Sequence, residues 1–262
     1  MRPRPNDVSN AYSSRRTIAL LLAVTGPSAV LIWGGVPLLV AHTDLPPIVI
    51  YLLGLLASGT WTSLVGLWAL RREGIVLRWD TLGSALFLAR PASRAGLPAR
   101  LRRLAVLTAL VAFAYAPLVL WHAPAVMPRF IPQLGALRFL VFFSARLQPG
   151  YARPMALADP ALAHAYWFVP LALLAWALYA LVAEELFFRG LLLSRIRDRA
   201  DRGRIGVNAL LYFAYCLALR PFSAPPRLLY GFVAAWLASR SRSTRPALSL
   251  RALEGLVVAA LA

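Results

Sequence analysis

Residues 166–193 read YWFVPLALLAWALYALVAEELFFRGLLL, and this run decides what kind of chain it is. As a helix rising ~1.5 Å per residue it is about 40 Å long, enough to cross a bilayer core of roughly 30 Å. Three charges interrupt it: Glu184, Glu185 and Arg189. A charge at mid-membrane costs about 2.5–3.5 kcal/mol on insertion scales, so such residues face a protein interior and mark function. On an α-helix Glu185 and Arg189 are i,i+4 neighbours able to pair. Glu184 points ~100° away, toward Phe187, Phe188 and Leu191, where it has no obvious partner. Burial without a partner disfavours the charged carboxylate, which is how a general base is tuned. The plainer reading is an acidic pair at the cytosolic end of a spanning helix.

Composition fixes the class. The chain is 60% hydrophobic and 15% charged, with a mean hydropathy of +0.66, outside the range of soluble domains. Several apolar runs exceed about 18 residues. The expected fold is therefore an all-α, polytopic membrane bundle. The net charge of +18 comes entirely from arginine. The arginines cluster between apolar segments, a topology signal and not a nucleic-acid-binding domain. The partner expected is the lipid bilayer. A single cysteine, Cys216, excludes an intrachain disulfide. His42, His122 and His164 are scattered without ligand spacing, so no metal and no cofactor is expected.

Outward from the central run, residues 1–16 read as an unstructured cytoplasmic tail, with Arg15 and Arg16 holding the N-terminus inside. Residues 17–165 form an N-terminal set of membrane helices and loops, with spans over 17–41, 47–70 and 104–121. The piece 74–88 is too short to span and is expected along the inner surface, with Trp79 at headgroup level. A Pro-rich connection covers 122–165. Residues 166–262 form the core: the central run, spans over 205–219 and 228–238 with Pro221, Pro225 and Pro226 as a tight turn between them, and a short last segment over 247–262. About seven transmembrane helices follow, N-terminus in the cytoplasm. The expected location is a bacterial plasma (inner) membrane.

The string Glu184-Glu185-Leu-Phe-Phe-Arg189-Gly190 within an apolar helix resembles the first motif of the CPBP family, the intramembrane proteases related to type II CAAX prenyl endopeptidases and to bacterial Abi and lysostaphin-resistance proteins. The likeness runs from Tyr166 to the C-terminus. The segment Arg78-Trp79-Asp80-Thr81-Leu82-Gly83 is also similar to a Trp-x-x-Leu-Gly loop found in many members. The resemblance implies an endopeptidase acting on a membrane protein or peptide, in which Glu184 activates water while Glu185 and Arg189 support it. Family histidines in Phe-x-x-x-His and His-x-x-x-Asn patterns would complete the site, because amide hydrolysis needs donors for its oxyanion.

Those later motifs are degenerate. Aligning Phe213 with the first pattern puts Leu217 in place of the histidine; Arg251 and Gly255 replace the second histidine and the asparagine. Arg251 is either an oxyanion donor or an ion-pair partner of Glu184 or Glu185, and Glu254 is a further pairing candidate for Arg251 or Arg189. Three functions compete: a glutamic-type endopeptidase, an inactive member acting as a membrane scaffold or immunity-type protein, and a proton-coupled transporter using Glu184, Glu185 and Glu254. If this alignment has the right register, Leu217 and Arg251 both face Glu184.

Overall fold

The computed structural model describes residues 12–76, 78–86, 167–196, 201–220 and 224–260. Helix α1 (Ser14–Val30) passes through a π-wound stretch, Leu31–Gly35, into α2 (Val36–His42). Then come α3 (Pro47–Arg72), α4 (Trp79–Ala85), α5 (Phe168–Trp176), a long π-helix (Ala177–Leu192) and the single turn α6 (Leu193–Arg195). The chain closes with α7 (Asp201–Leu219), α8 (Ala224–Ser241) and α9 (Arg245–Ala260). No sheet occurs among the described residues. The expected span 104–121 and connection 122–165 lie outside them.

Ser14–His42, Ile48–Arg72 and Pro170–Arg195 are each long and apolar enough to cross a membrane, and the chain is an integral membrane protein. Among the described residues these three are the helices of that kind, so the expected count of seven is not confirmed. Helices α7, α8 and α9 occupy the places of the last three expected spans but do not join those three. Pro225 and Pro226, expected in a tight turn, sit instead in the first turn of α8. There the missing N–H costs nothing, because first-turn N–H groups have no partner within the helix.

Backbone defects in the first helix become docking points. Pro27 lies inside α1 and has no N–H to give the carbonyl of Ala23. The indole N–H of Trp61, on α3, donates to that carbonyl at 2.8 Å. Trp33 does the same for Ala218, whose carbonyl lies in the last turn of α7, at 2.6 Å. In α3 the hydroxyls of Thr60, Thr62 and Ser63 donate to carbonyls one turn back at 2.8, 2.9 and 2.7 Å, so an apolar helix carries them without unmet donors.

The central run differs from the expected α-helix. Its second half is π-wound, with i→i+5 bonding. Every residue from Ala183 to Leu193 except Leu186 is buried, which a stretch apolar all round requires. Helix α3 packs along it. At Gly59 a Cβ would lie 3.1 Å from the backbone N and Cα of Tyr179, so the absence of a side chain sets how closely the two helices approach.

The tail expected over residues 1–16 is tied down from Tyr12 onward. The N–H of Tyr12 donates to the carbonyl of Arg195 at 2.7 Å, and its hydroxyl donates to Glu73. Burial, reinforced by Glu73, pushes the Tyr12 phenol above its ordinary range, so it stays a donor at neutral pH. Arg195 donates through Nε to both oxygens of Glu73 at 3.0 and 2.8 Å. Arg16 lies over the Tyr12 ring at 4.1 Å. The segment expected along the membrane surface also tucks in at its end. The Leu86 carbonyl accepts the Thr244 hydroxyl, and a Cβ at Gly190 would stand 3.1 Å from that same oxygen.

The turn into α9 ends α8 with paired backbone bonds. Arg242 N–H donates to Ser239 at 3.4 Å and Ser243 N–H to Ala238 at 3.2 Å, the Schellman arrangement. The left-handed position, normally glycine, is Arg242 with φ 49°.

Replacing Gly59 by Ala should cost about 1–3 kcal/mol, because its close neighbours are backbone atoms that cannot rotate away. Gly26, whose added Cβ would meet nothing within 4 Å, should tolerate the same change. Thermal unfolding of the two variants in one micelle compares them, and equal midpoints would remove the close approach at Gly59 as a constraint.

Candidate functional site

The π-helix places Glu184 and Glu185 side by side in the bundle, both with no exposed surface. Glu184 has no partner on its own helix, and Arg251 is the candidate that the sequence offers it from elsewhere. The structure puts donors on both its oxygens. Oε1 accepts from Arg220, at the C-terminal end of α7. Oε2 accepts from Arg251 on α9 and from the Tyr212 hydroxyl at 3.1 Å. An isolated helix shows only its own neighbours; of these three partners Arg251 is an expected one, while Arg220 and Tyr212 are not.

Glu185 is the less engaged carboxylate. Its Oε1 accepts from the Tyr230 hydroxyl at 2.8 Å, and its Oε2 stands 3.7 Å from Arg189 Nε. That separation is an ion pair but too long for a hydrogen bond. Arg189 donates from Nη2 to the Gly231 carbonyl at 3.3 Å.

Each guanidinium also lies over a tyrosine face. Arg220 is 4.9 Å from the Tyr179 ring, Arg189 is 4.1 Å from Tyr212, and Arg251 is 5.4 Å from Tyr230. Ring faces carry negative potential and stabilise a desolvated cation. Two carboxylates and three guanidinium groups therefore share one apolar interior, with tyrosines as the common lining.

The residues assigned from sequence divide into three sets. Glu184, Glu185, Arg189 and Arg251 come together. Phe213 packs half-buried against the core. Leu217 does not join them: it is 48% exposed, on the outward face of α7. Leu217 therefore lies outside the cluster, and the residue before it, ~100° round the helix, faces in. Tyr212 and Cys216 are the inward residues, both fully buried. Glu254 and Gly255 lie on α9 beyond Arg251, with side chains outside the described set.

All of these positions fall in one stretch of the chain that resembles a known family. Residues 165–256 match the family model for type II CAAX prenyl endopeptidase Rce1-like proteins. The match contains the π-helix, α7, α8 and the part of α9 that carries Arg251. No curated protein and no solved structure matches the chain. Within the matched segment, Arg220, Tyr212 and Tyr230 join the cluster without being singled out by the sequence, and Cys216 is buried on the same face of α7 as Tyr212. Tyr212, Cys216 and Arg220 recur at i, i+4 and i+8, a spacing that marks one helix face. That spacing, ending in an arginine at the close of an apolar run, was the available signal.

If Glu184 is the hub, Glu184→Ala should destabilise the protein by about 3–5 kcal/mol, since it leaves Arg220 and Arg251 buried without their shared carboxylate. Adding Arg251→Met to that variant should recover part of the loss. Chemical unfolding in micelles measures both. A Glu184→Ala protein as stable as the parent would show that these ion pairs do not hold the bundle.

Proposed function

We propose that this chain is a CAAX-protease-like membrane protein that binds a membrane protein or peptide without cleaving it. In this reading its Glu184 motif has become a structural hub. The observation that carries the proposal is the occupancy of Glu184, with Arg220 on one oxygen and Arg251 and Tyr212 on the other. A general base must offer a lone pair to water within about 2.6–3.2 Å; of the roughly four acceptor sites of a carboxylate, Arg220, Arg251 and Tyr212 already fill three, and the group is fully buried. The donors are committed too. An oxyanion hole aims its N–H groups at the place where substrate charge will develop, whereas Arg220 and Arg251 aim theirs at Glu184. The sequence contains no histidine after His164, so the Rce1-like segment has no imidazole to relay a proton. On the same reading the protein works without metal or organic cofactor, since the cluster holds more guanidinium than carboxylate. Its location is a bacterial plasma membrane, with the N-terminus in the cytoplasm.

A second reading has one observation in its favour. The segment keeps Glu184, Glu185 and Arg189 together inside a match to an endopeptidase family, and Arg251 stands in the cluster. If Arg220 and Arg251 turned toward a substrate carbonyl, Glu184 would be freed as base and the arginines would stabilise the oxyanion. That would be a glutamic-type intramembrane endopeptidase.

Mass spectrometry of membrane-protein N-termini separates the two. Wild type and Glu184→Gln strains should give the same termini. New termini present in wild type and lost in Glu184→Gln would establish the peptidase. A strain carrying Cys216→His, Arg251→His and Gly255→Asn restores the family pattern in the register seen here. Cleavage confined to that strain would support the retired-protease reading.

A further inference from the structure

One end of the bundle gathers a group of exposed arginines. The start of α1 meets the end of α6 where Tyr12 N–H bonds Arg195, and the end of α3 joins them through Glu73. The starts of α7 and α9 are held at the same end by Arg204 with Ser239 at 3.3 Å and by Thr244 with Leu86. Arg15, Arg71, Arg72, Arg202, Arg240 and Arg242 are all exposed there. Glu73, a carboxylate at this end, is already engaged by Arg195 and Tyr12. Guanidinium groups bind phosphate oxygens in pairs, with a geometry ammonium groups lack.

Two further observations say what this surface meets. The charges border exposed apolar side chains directly. On α1, Ile18 and Leu22 follow Arg15 at 52% and 63% exposure, and on α3 Trp68, 53% exposed, stacks under Arg72 at 4.9 Å. Such a border, with an amphipathic indole beside an arginine, is the profile of a membrane–water interface; a nucleic-acid face has no reason to adjoin an apolar belt. The second observation is Arg242. It holds a left-handed turn position, φ 49°, where glycine is free of the strain a Cβ brings. An exposed arginine there places charge where the turn alone would favour glycine.

We propose that this arginine-lined end is a docking surface for the phosphate headgroups of anionic phospholipids. Each arginine near such a surface strengthens binding by about 1 kcal/mol, roughly fivefold. The attraction falls with salt over a Debye length of about 10 Å at 0.1 M.

The test uses the full chain in nanodiscs of phosphatidylcholine with and without phosphatidylglycerol, reading lipid retained on the protein by native mass spectrometry and the thermal midpoint. Wild type should retain phosphatidylglycerol at least tenfold over phosphatidylcholine, with a raised midpoint. The Arg71→Gln, Arg72→Gln double variant should lose about tenfold or more of that preference. Arg242→Gly is the sharper probe: its midpoint in phosphatidylcholine should equal or exceed that of wild type, while its phosphatidylglycerol preference falls. Equal retention of the two lipids by wild type would overturn the proposal. So would complete displacement of the lipid by millimolar inorganic phosphate, which would identify a free-anion site. Tighter binding of an oligonucleotide than of phosphatidylglycerol would overturn it too.

Discussion

The Glu184 carboxylate accepts from an arginine at the end of α7 and another on α9 while it rides on the π-helix, and the core half of the bundle is arranged around that junction. Taking one carboxylate and two guanidinium groups out of water costs several kcal/mol per ion. The cost is met only if all three arrive in register. Tyr212 and Tyr230 help by donating hydroxyls to the carboxylates while presenting their faces to guanidinium groups. The same side chains thus satisfy anion and cation together. A slip of α7 by one residue would move Tyr212 out and Phe213 in, losing a donor and leaving Glu184 exposed to apolar surface. Buried charge here acts as a register device for helices whose apolar faces alone would pack in several ways.

The π-winding serves the same end. A helix that is apolar all round has no preferred face, and its neighbours close on every side of it. Along Ala183–Leu193 nearly every residue is buried, so α3, α7, α8 and α9 can each touch the motif-bearing segment. Small residues mark the nearest approaches: Gly59 against the Tyr179 backbone, Gly231 against the Tyr212 ring, where an added Cβ would stand 3.0 Å from Cδ1, and Gly190 against Leu86. Close backbone approach substitutes for the hydrophobic drive that lipid-immersed helices lack.

Much of this was legible in the sequence, and the gaps have physical causes. The long apolar runs gave α1, α3 and the central segment. The Glu185–Arg189 pair followed from i,i+4 spacing, and one reading of Arg251 placed it on Glu184. What periodicity could not reveal was phase. Tyr212 and Phe213 are adjacent aromatics, either of which fits an aromatic-x-x-x pattern, and choosing Phe213 carried Leu217 to the lipid side. Arg220 was hidden because it closes an apolar run, where arginine ordinarily marks a solvated helix end. The π-winding left no trace, since uniform apolarity carries no information about residues per turn. Tyr12 was hidden in a polar tail whose partners, Glu73 and Arg195, lie far along the chain.

That last contact bears on how the protein is made. Glu73 precedes its arginine by 122 residues, and at a synthesis rate of about 5–20 residues per second the interval is roughly 6–24 s. During that time the first two spans have been made, yet Glu73 has only Arg16 and Tyr12 beside it. The junction of Tyr12, Glu73 and Arg195 can form only once the central helix has threaded its full length and delivered Arg195 to the same side of the membrane. A chain in which that helix entered the wrong way round would leave Glu73 and Arg195 on opposite faces, and Tyr12 would stay undocked. The clasp is thus closed by correct topology alone, a late proofreading contact between segments made early and late in synthesis.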